Sequence, residues 1–417
     1  MNPSEKCDVL VIGTGIIGVM SALYLMNAGK SVTLLERSEI AGGTSTGNAG
    51  ILAFPEIIPI PAPGIMKKAP KWLIDPLGPL SVPPAYALKI APWLWRFWTA
   101  SSPRQFQHGL KVLTAMNQLA ASEMQHVAAI PELTHYISNT GTLDLYDTKT
   151  SFDAASKDWE EKGRAGFTFE RIGREEVERL QPGLAPKFQH AMFTPGGLQV
   201  GDPYEFTKAI ANLVISRGAT LRKGEASQIQ TVGETTIVTL TSGEKLNADK
   251  VVVATGAWSK PLATSLGNTV PLETERGYNT TLPVGSFDLT RQLYFNDHAF
   301  VVTPLSSGIR VGGAVELGGL DLPPNFRRSD ALLKKASQFL PGLKTEGGKQ
   351  WMGFRPSMPD CLPVIGPSRA SNSVIYAFGH GHLGLTQSAA TARLVTDLVS
   401  GTETTISVDP FRASRFS

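Results

Sequence analysis

The chain has 417 residues, 42% of them hydrophobic, which is enough for a full-sized core and for two domains. Its 39 basic and 36 acidic residues leave a net charge of +3, too small for an extended nucleic-acid surface. The two cysteines, Cys7 and Cys361, form no Cys-x-x-Cys pair and no cluster with histidine, so neither a disulfide framework nor a metal site is expected.

The start, MNPSEKCDVLVIG, lacks the basic segment, apolar stretch and cleavage site of a signal peptide. No run of about 18 apolar residues occurs. With the cysteine usage, which suits a reducing cytoplasm, the expectation is a cytoplasmic protein. CDVLVIG (7–13) reads as a buried parallel strand ending in glycine. GTGIIG (13–18) follows, then helical spacing to Gly29, then a second strand, SVTLLER (31–37), that ends on Glu36. In this G-x-G-x-x-G unit Gly13 permits the tight turn, Gly15 lets the backbone approach a pyrophosphate, and Gly18 lets helix and strand pack closely. The helix start offers N–H groups and partial positive charge to phosphates, while Glu36 would accept hydrogen bonds from an unphosphorylated adenosine ribose. FAD or NAD therefore fits better than NADP.

AGGTSTGNAGI (41–51) is either a flexible connection or a loop of small donors beside a ligand. Residues 51–100 are rich in Pro and Trp and read as irregular or short-helical, and a helical stretch runs from Pro103 to Pro131. GTLDLY (141–146) is a strand, 202–219 a helix, and 219–254 a set of strands returning to the first sheet. VVVATGAW (251–258) is a buried strand that breaks at Thr255–Gly256. PLETERGYNTTLP, HAFVVTP and GIRVGGAVE, between 271 and 316, suggest an antiparallel meander in a second domain. FGHGHLGLTQSAA (378–390) is a third glycine-rich turn leading into a helix. Three separated glycine turns suit one long cofactor.

GTGIIG, Glu36–Arg37, TSTGNAG, ATGAWS, GFRPSMPDCLPVIGP and GHGHLGLT together resemble the D-amino-acid oxidase superfamily of FAD enzymes. Within it the chain is most similar to the small subunit of bacterial D-amino-acid dehydrogenases, through NAG (48–50), APG…KW…PL (62–80), GGLQ (196–199), RGY (276–278) and RVGGAVE (310–316). The resemblance implies an α/β architecture: a Rossmann-like FAD-binding domain of discontinuous segments (1–60, 196–268, 346–417) and a substrate-binding domain with an antiparallel sheet (61–195, 269–345). Cofactor contacts would fall on Gly13, Gly15, Ile16, Ile17, Gly18, Glu36 and Arg37, and on Thr44, Ser45, Asn48, Ala49, Gly50 and Ile51. Further contacts would come from Ala254, Thr255, Gly256, Trp258, Gly353, Gly381, His382, Leu383, Gly384, Leu385 and Thr386. In the sarcosine-oxidase branch a cysteine bonds the flavin covalently. Counting back from Pro359–Asp360 puts Gly353 at that position, so noncovalent FAD is expected. Asp360 to Gly366 would run beneath the flavin, with Cys361 structural.

Flavin-dependent amine oxidation needs a protein that holds the carboxylate, keeps the nitrogen deprotonated and excludes other orientations. Arg355 suits the first task, because its planar fork binds carboxylates in bidentate fashion. Its alternative role is a clamp on Asp360. Tyr278 reads either as strand packing or as a phenol bonded to the substrate carboxylate. His382 reads as a turn residue or as a site contact, His380 as orienting the turn, and Tyr294 and His298 as weaker candidates. Trp72 and APWLWRFWTASS (91–102) form an aromatic subcore or, with Lys67, Lys68 and Lys71, a peripheral contact with the inner face of the plasma membrane. The expected activity is FAD-dependent oxidative deamination of a D-amino acid to a 2-oxo acid and ammonia, or of a D-proline type to a cyclic imine. The electrons would go to a quinone or another acceptor such as O2. The alternatives are a glycine- or sarcosine-type oxidase, a non-catalytic flavoprotein subunit, and an NAD-dependent dehydrogenase.

Overall fold

The computed structural model describes residues 7–65, 80–233 and 235–416. The strand Cys7–Ile12 sits centrally in a parallel arrangement, with Val32–Glu36 and Thr220–Lys223 on one side and Lys245–Val253 on the other. Val9, Leu10, Val11 and Ile12 are each no more than 4% exposed, which explains the unbroken apolar run: layers cover both faces of this sheet. The long strand Lys245–Val253 forks. Its first half pairs antiparallel with Thr235–Leu240, and its last three residues pair in parallel with Val374–Phe378.

The helix Ile16–Asn27 follows at once and is packed by Pro203–Ser216 and Ser388–Ser400. Gly13, at φ +101°, takes a conformation that disfavours a side chain. A Cβ on Gly18 would lie 1.9 Å from the Gly13 carbonyl oxygen, so only glycine permits this helix–strand approach. Asp202 caps the helix Pro203–Ser216 by accepting from the N–H groups of Tyr204 (3.0 Å) and Glu205 (3.2 Å), with Pro203 at the first helical position.

The second sheet runs Lys349–Ser357, Glu273–Leu282, Gly308–Leu317, Phe300–Leu305, Gln292–Phe295, Thr142–Tyr146, His190–Thr194 and Glu170–Gly173. It is antiparallel except where Gln292–Phe295 meets Thr142–Tyr146 and where Leu80–Ser81 joins its side. It is not a simple meander, because Gly308–Leu317 inserts between Glu273–Leu282 and Phe300–Leu305. The helix Arg327–Phe339 covers its back with Leu332, Ala336 and Phe339.

The structure differs from the expected boundaries in two places. Lys349–Ser357 is still hydrogen-bonded into the second sheet, so the return to the first comes at Val364–Pro367, not at 346. The helix Pro103–Ala128, expected in the second domain, buries Leu113, Met116 and Met124 in the core of the first. Among the described residues no helix is long and apolar enough to cross a membrane.

Candidate active site

A cavity of about 1190 Å³ is lined by residues of both sheets. At one end lie Gly13 to Ile17, Glu36 and Arg37. The Glu36 carboxylate accepts from Thr14 N–H (3.0 Å) and Oγ1 (2.7 Å) and from Ser38 N–H (2.9 Å) and Oγ (3.1 Å). Burial alone would raise its pKa, but these bonds hold it below the ordinary carboxylate value, so it stays ionised. The Arg37 guanidinium lies 4.2 Å from the Trp258 ring centroid and pairs with Glu225 at 3.1 Å.

The glycine-rich loop after the second strand is held from two directions. Ser45 Oγ accepts from the Ile16 N–H at the helix start (2.9 Å), and Thr44 Oγ1 donates to the Phe354 carbonyl (2.6 Å). From the second sheet, Asn279 Nδ2 donates to the Gly47 carbonyl (2.7 Å) and Arg310 Nη1 to that of Asn48 (2.5 Å). Burial brings the pKa of Arg310 down to about 10, so it remains charged at neutral pH.

At the other end Arg355, on Lys349–Ser357, is the register partner of Glu275. A Cβ on Gly277 would meet Arg355 Nη2 at 2.5 Å and Cζ at 2.6 Å, so the guanidinium rests on the bare backbone of that glycine. Among the described residues it makes no ion pair within 4.0 Å. Burial pulls its pKa down and the charge of Glu275 pushes it back up. The expected alternative, an Arg355–Asp360 clamp, is overturned. Arg415 grips Asp360 with Nε at 2.8 Å and Nη2 at 3.3 Å.

His382 lines the same cavity. Its exposure is to that cavity, while the surrounding protein lowers its pKa by burial; Glu275 and Glu56 oppose this and Arg355 adds to it. His380 is buried, meets Thr391 Oγ1 at 2.9 Å, and is pushed down to about 3 by burial, so its ring stays neutral. Tyr278 requires a correction. Alternation along Glu273–Leu282 turns Gly277 to Arg355 and Tyr278 to the helix side, where its hydroxyl donates to Glu316 and accepts from Asn325 N–H (3.1 Å). Tyr278 still lines the cavity, but its hydroxyl is taken up by these neighbours rather than offered to a carboxylate. Tyr294 lines the cavity, with no hydrogen bond from its hydroxyl to a described residue. His298 lies away from the cavity, paired with Asp147 at 2.7 Å.

The family model for DAO, FAD dependent oxidoreductase, matches residues 8–398. The chain belongs to this family. It is 34% identical over 99% of both chains to a D-amino-acid oxidase of Bradyrhizobium diazoefficiens. It is 31% identical over 98% of both chains to a D-amino acid dehydrogenase of Allorhizobium ampelinum. Among solved structures, the glycine oxidase of Geobacillus kaustophilus shares the fold over 99% of both chains, with a TM-score of 0.78 at 22% identity.

FAD is the cofactor of this family, and the cavity fits it. A Cβ on Gly15 would meet nothing nearer than Ser45 Oγ at 3.3 Å, and one on Gly256 nothing within 4 Å, so both glycines leave room for a ligand. Ser45 takes the Ile16 N–H, but no described side chain accepts from the N–H of Ile17 or Gly18, so the rest of the first turn of the helix Ile16–Asn27 is left for a phosphate. The segments 13–17, 36–37, 44–45, 48–49, 254–256, 353 and 384–385, with Ile51, Trp258 and Gly381, all line the cavity. Gly18, Gly50, Leu383 and Thr386 do not. Gly18 serves helix packing, Gly50 accepts from Val200 N–H (2.7 Å), Thr386 Oγ1 accepts from Ala53 N–H (3.0 Å), and Leu383 faces a small neighbouring pocket. Residues 360–366 also do not line the main cavity, contrary to expectation, and Cys361 borders only the small pocket. Sequence reading passed over Glu56, Glu275 and Arg310. Each is a single charge with no local motif, placed by pairing between distant segments.

Proposed function

We propose that the chain oxidises a D-amino acid, with Arg355 holding its carboxylate and noncovalent FAD taking the electrons. The observation that carries this reading is the Arg355 guanidinium: half-buried in the cavity wall, seated on Gly277, and without an ion pair among the described residues. FAD, when bound, supplies the acceptor for the substrate's α-hydride. Arg355 fixes the carboxylate by a bidentate contact and so sets the orientation of the α-carbon. His382 lines the same cavity, and its pKa is held below the ordinary imidazole value, so its ring can hydrogen-bond the substrate's amino group through an unprotonated nitrogen. The product is an imine, which water converts to a 2-oxo acid and ammonia. The names of the two relatives support the D-amino-acid class. The absence of cysteine from the described cavity lining supports a noncovalent cofactor.

Anaerobic bleaching of the flavin spectrum by a panel of D-, L- and N-methyl amino acids tests the reading. No bleaching by any of them would overturn it. For Arg355→Met, loss of a buried charge contact of about 2–5 kcal/mol predicts a fall in kcat/KM of thirtyfold or more, mainly through KM, with FAD still bound. An unchanged KM would remove Arg355 from the carboxylate site.

A peripheral contact with an anionic membrane is a second part of this reading. On the helix Ala87–Ala100, Trp93 packs inward while Leu88, Trp95 and Trp98 are 91%, 61% and 47% exposed. Lys89 and Arg96 are also exposed there, and no acidic residue occurs between Leu80 and Ser122. Aromatic rings at headgroup level with cationic neighbours suit such a surface. Trp72, Lys67, Lys68 and Lys71 lie outside the described residues. Cosedimentation with anionic vesicles should fall for Trp95→Ala/Trp98→Ala, and equal cosedimentation would count against the contact.

A further inference from the structure

The cavity has a second polar end, at Glu56. This residue follows the short strand Ile51–Leu52, and its backbone is pinned by Asn117, whose Nδ2 donates to the carbonyls of Phe54 (3.0 Å) and Glu56 (2.9 Å). Gln387 Nε2 in turn donates to Asn117 Oδ1 at 3.0 Å. Glu56 Oε1 pairs with Lys162 Nζ at 3.0 Å, and the two side chains are 34% and 8% exposed. The asymmetry is informative, because Glu56 lines the cavity and Lys162 does not. Lys162 is held back over the Trp159 ring at 4.3 Å, so an occupant meets the carboxylate rather than the ammonium.

Asp144, buried and bonded by Asn296 Nδ2 at 3.1 Å, adds a second carboxyl whose charge acts on Lys162. Its register partner is Tyr294, which lines the cavity. The group therefore sets two carboxylates against one ammonium. Glu56 Oε2 receives no hydrogen bond from a described residue. His382 lines the cavity with both Arg355 and Glu56 and also borders the small pocket beside Glu56.

We propose that Glu56 and Tyr294 read the substrate's side chain, and that they select one carrying a hydrogen-bond donor, most of all a cation. This rests on the amino-acid reading above, with the carboxylate taken by Arg355. An aliphatic side chain would strip water from Glu56 and return no hydrogen bond. An acidic side chain would face the carboxylate of Glu56, with Lys162 behind it and out of reach.

Matched pairs of near-equal size test the inference: D-ornithine against D-norleucine, and D-serine against D-2-aminobutyrate. A pocket built to bond a polar group discriminates strongly against the analogue lacking it, so the wild-type kcat/KM ratio should favour the donor-bearing member by on the order of tenfold or more. In Glu56→Gln the ornithine-to-norleucine ratio should fall at least tenfold. A wild-type preference for the aliphatic members, or an unchanged ratio in the variant, overturns the proposal. If Glu56→Gln fails to fold beside the unpaired Lys162, the wild-type ratios and the double variant Glu56→Gln/Lys162→Met decide in its place. If no amino acid of the panel, these pairs included, bleaches the flavin, the amino-acid oxidation reading fails. The side-chain proposal is then read from binding alone, as the rise in melting temperature with D-ornithine against that with D-norleucine, and an equal or smaller rise with ornithine overturns it.

Discussion

A guanidinium bound to Asp360 would have its fork filled, whereas one with no acid within 4.0 Å keeps it for a ligand. Arg415 takes Asp360 and leaves Arg355 in the second condition. Tyr278 is the opposite case. Its hydroxyl bonds Glu316 and the Asn325 N–H, and its ring lies edge-on to Phe326 at 6.1 Å between centroids. Tyr278→Phe should therefore leave KM for the amino acid within about twofold and lower stability by about 1.5–3 kcal/mol, the range for losing a hydrogen bond to a charged partner. Steady-state kinetics beside a denaturant melt check both halves, and a tenfold rise in KM would return the phenol to the substrate site. Residue type marked both side chains as candidates in the sequence. Which partner each would find was not legible, because Arg415 and Glu316 come from distant segments.

At the level of elements, the pleat of Glu273–Leu282 decides what TERGYN does. Glu275 and Gly277 face Arg355 and the cavity, while Arg276 and Tyr278 face Glu316. Opposite them, Gly308–Leu317 bulges at Ala314, which adopts φ +51° and shifts the register between Gly277 and Tyr278. That these segments are strands was legible in their composition; which face each turns inward depends on pairing across some 80 residues and was not. Gly277→Ala follows from the same geometry. The new Cβ would meet the end of the flexible Arg355 side chain rather than backbone, so the strand can persist while the guanidinium is displaced. Near-native melting and FAD content should accompany a KM raised tenfold or more. A native KM would mean that the seat under Arg355 does not set its position.

At the scale of the whole molecule, the glycine turns and the acidic residue after the second strand were legible because they sit within one local β-α-β unit. Contacts that join the two sheets were not. Asn279 and Arg310 reach from the second sheet to the carbonyls of Gly47 and Asn48, and Thr44 reaches back to Phe354. The loop that lines the cavity is thus also the strap between the sheets, so if it holds FAD as proposed, cofactor binding and sheet docking should stabilise each other. Removing FAD should lower the melting temperature. Adding it back should raise stability by about 1.4 kcal/mol per tenfold excess of free FAD over its Kd, as one-site linkage requires. Arg310→Met releases the Asn48 carbonyl without removing any cofactor-facing glycine. Loss of a charge-assisted bond of about 1.5–3 kcal/mol predicts a Kd for FAD raised roughly tenfold to a hundredfold. The titration should keep the wild-type slope but shift to higher FAD concentration. A variant that melts lower while binding FAD with unchanged Kd would show that the strap docks the sheets without shaping the cofactor site.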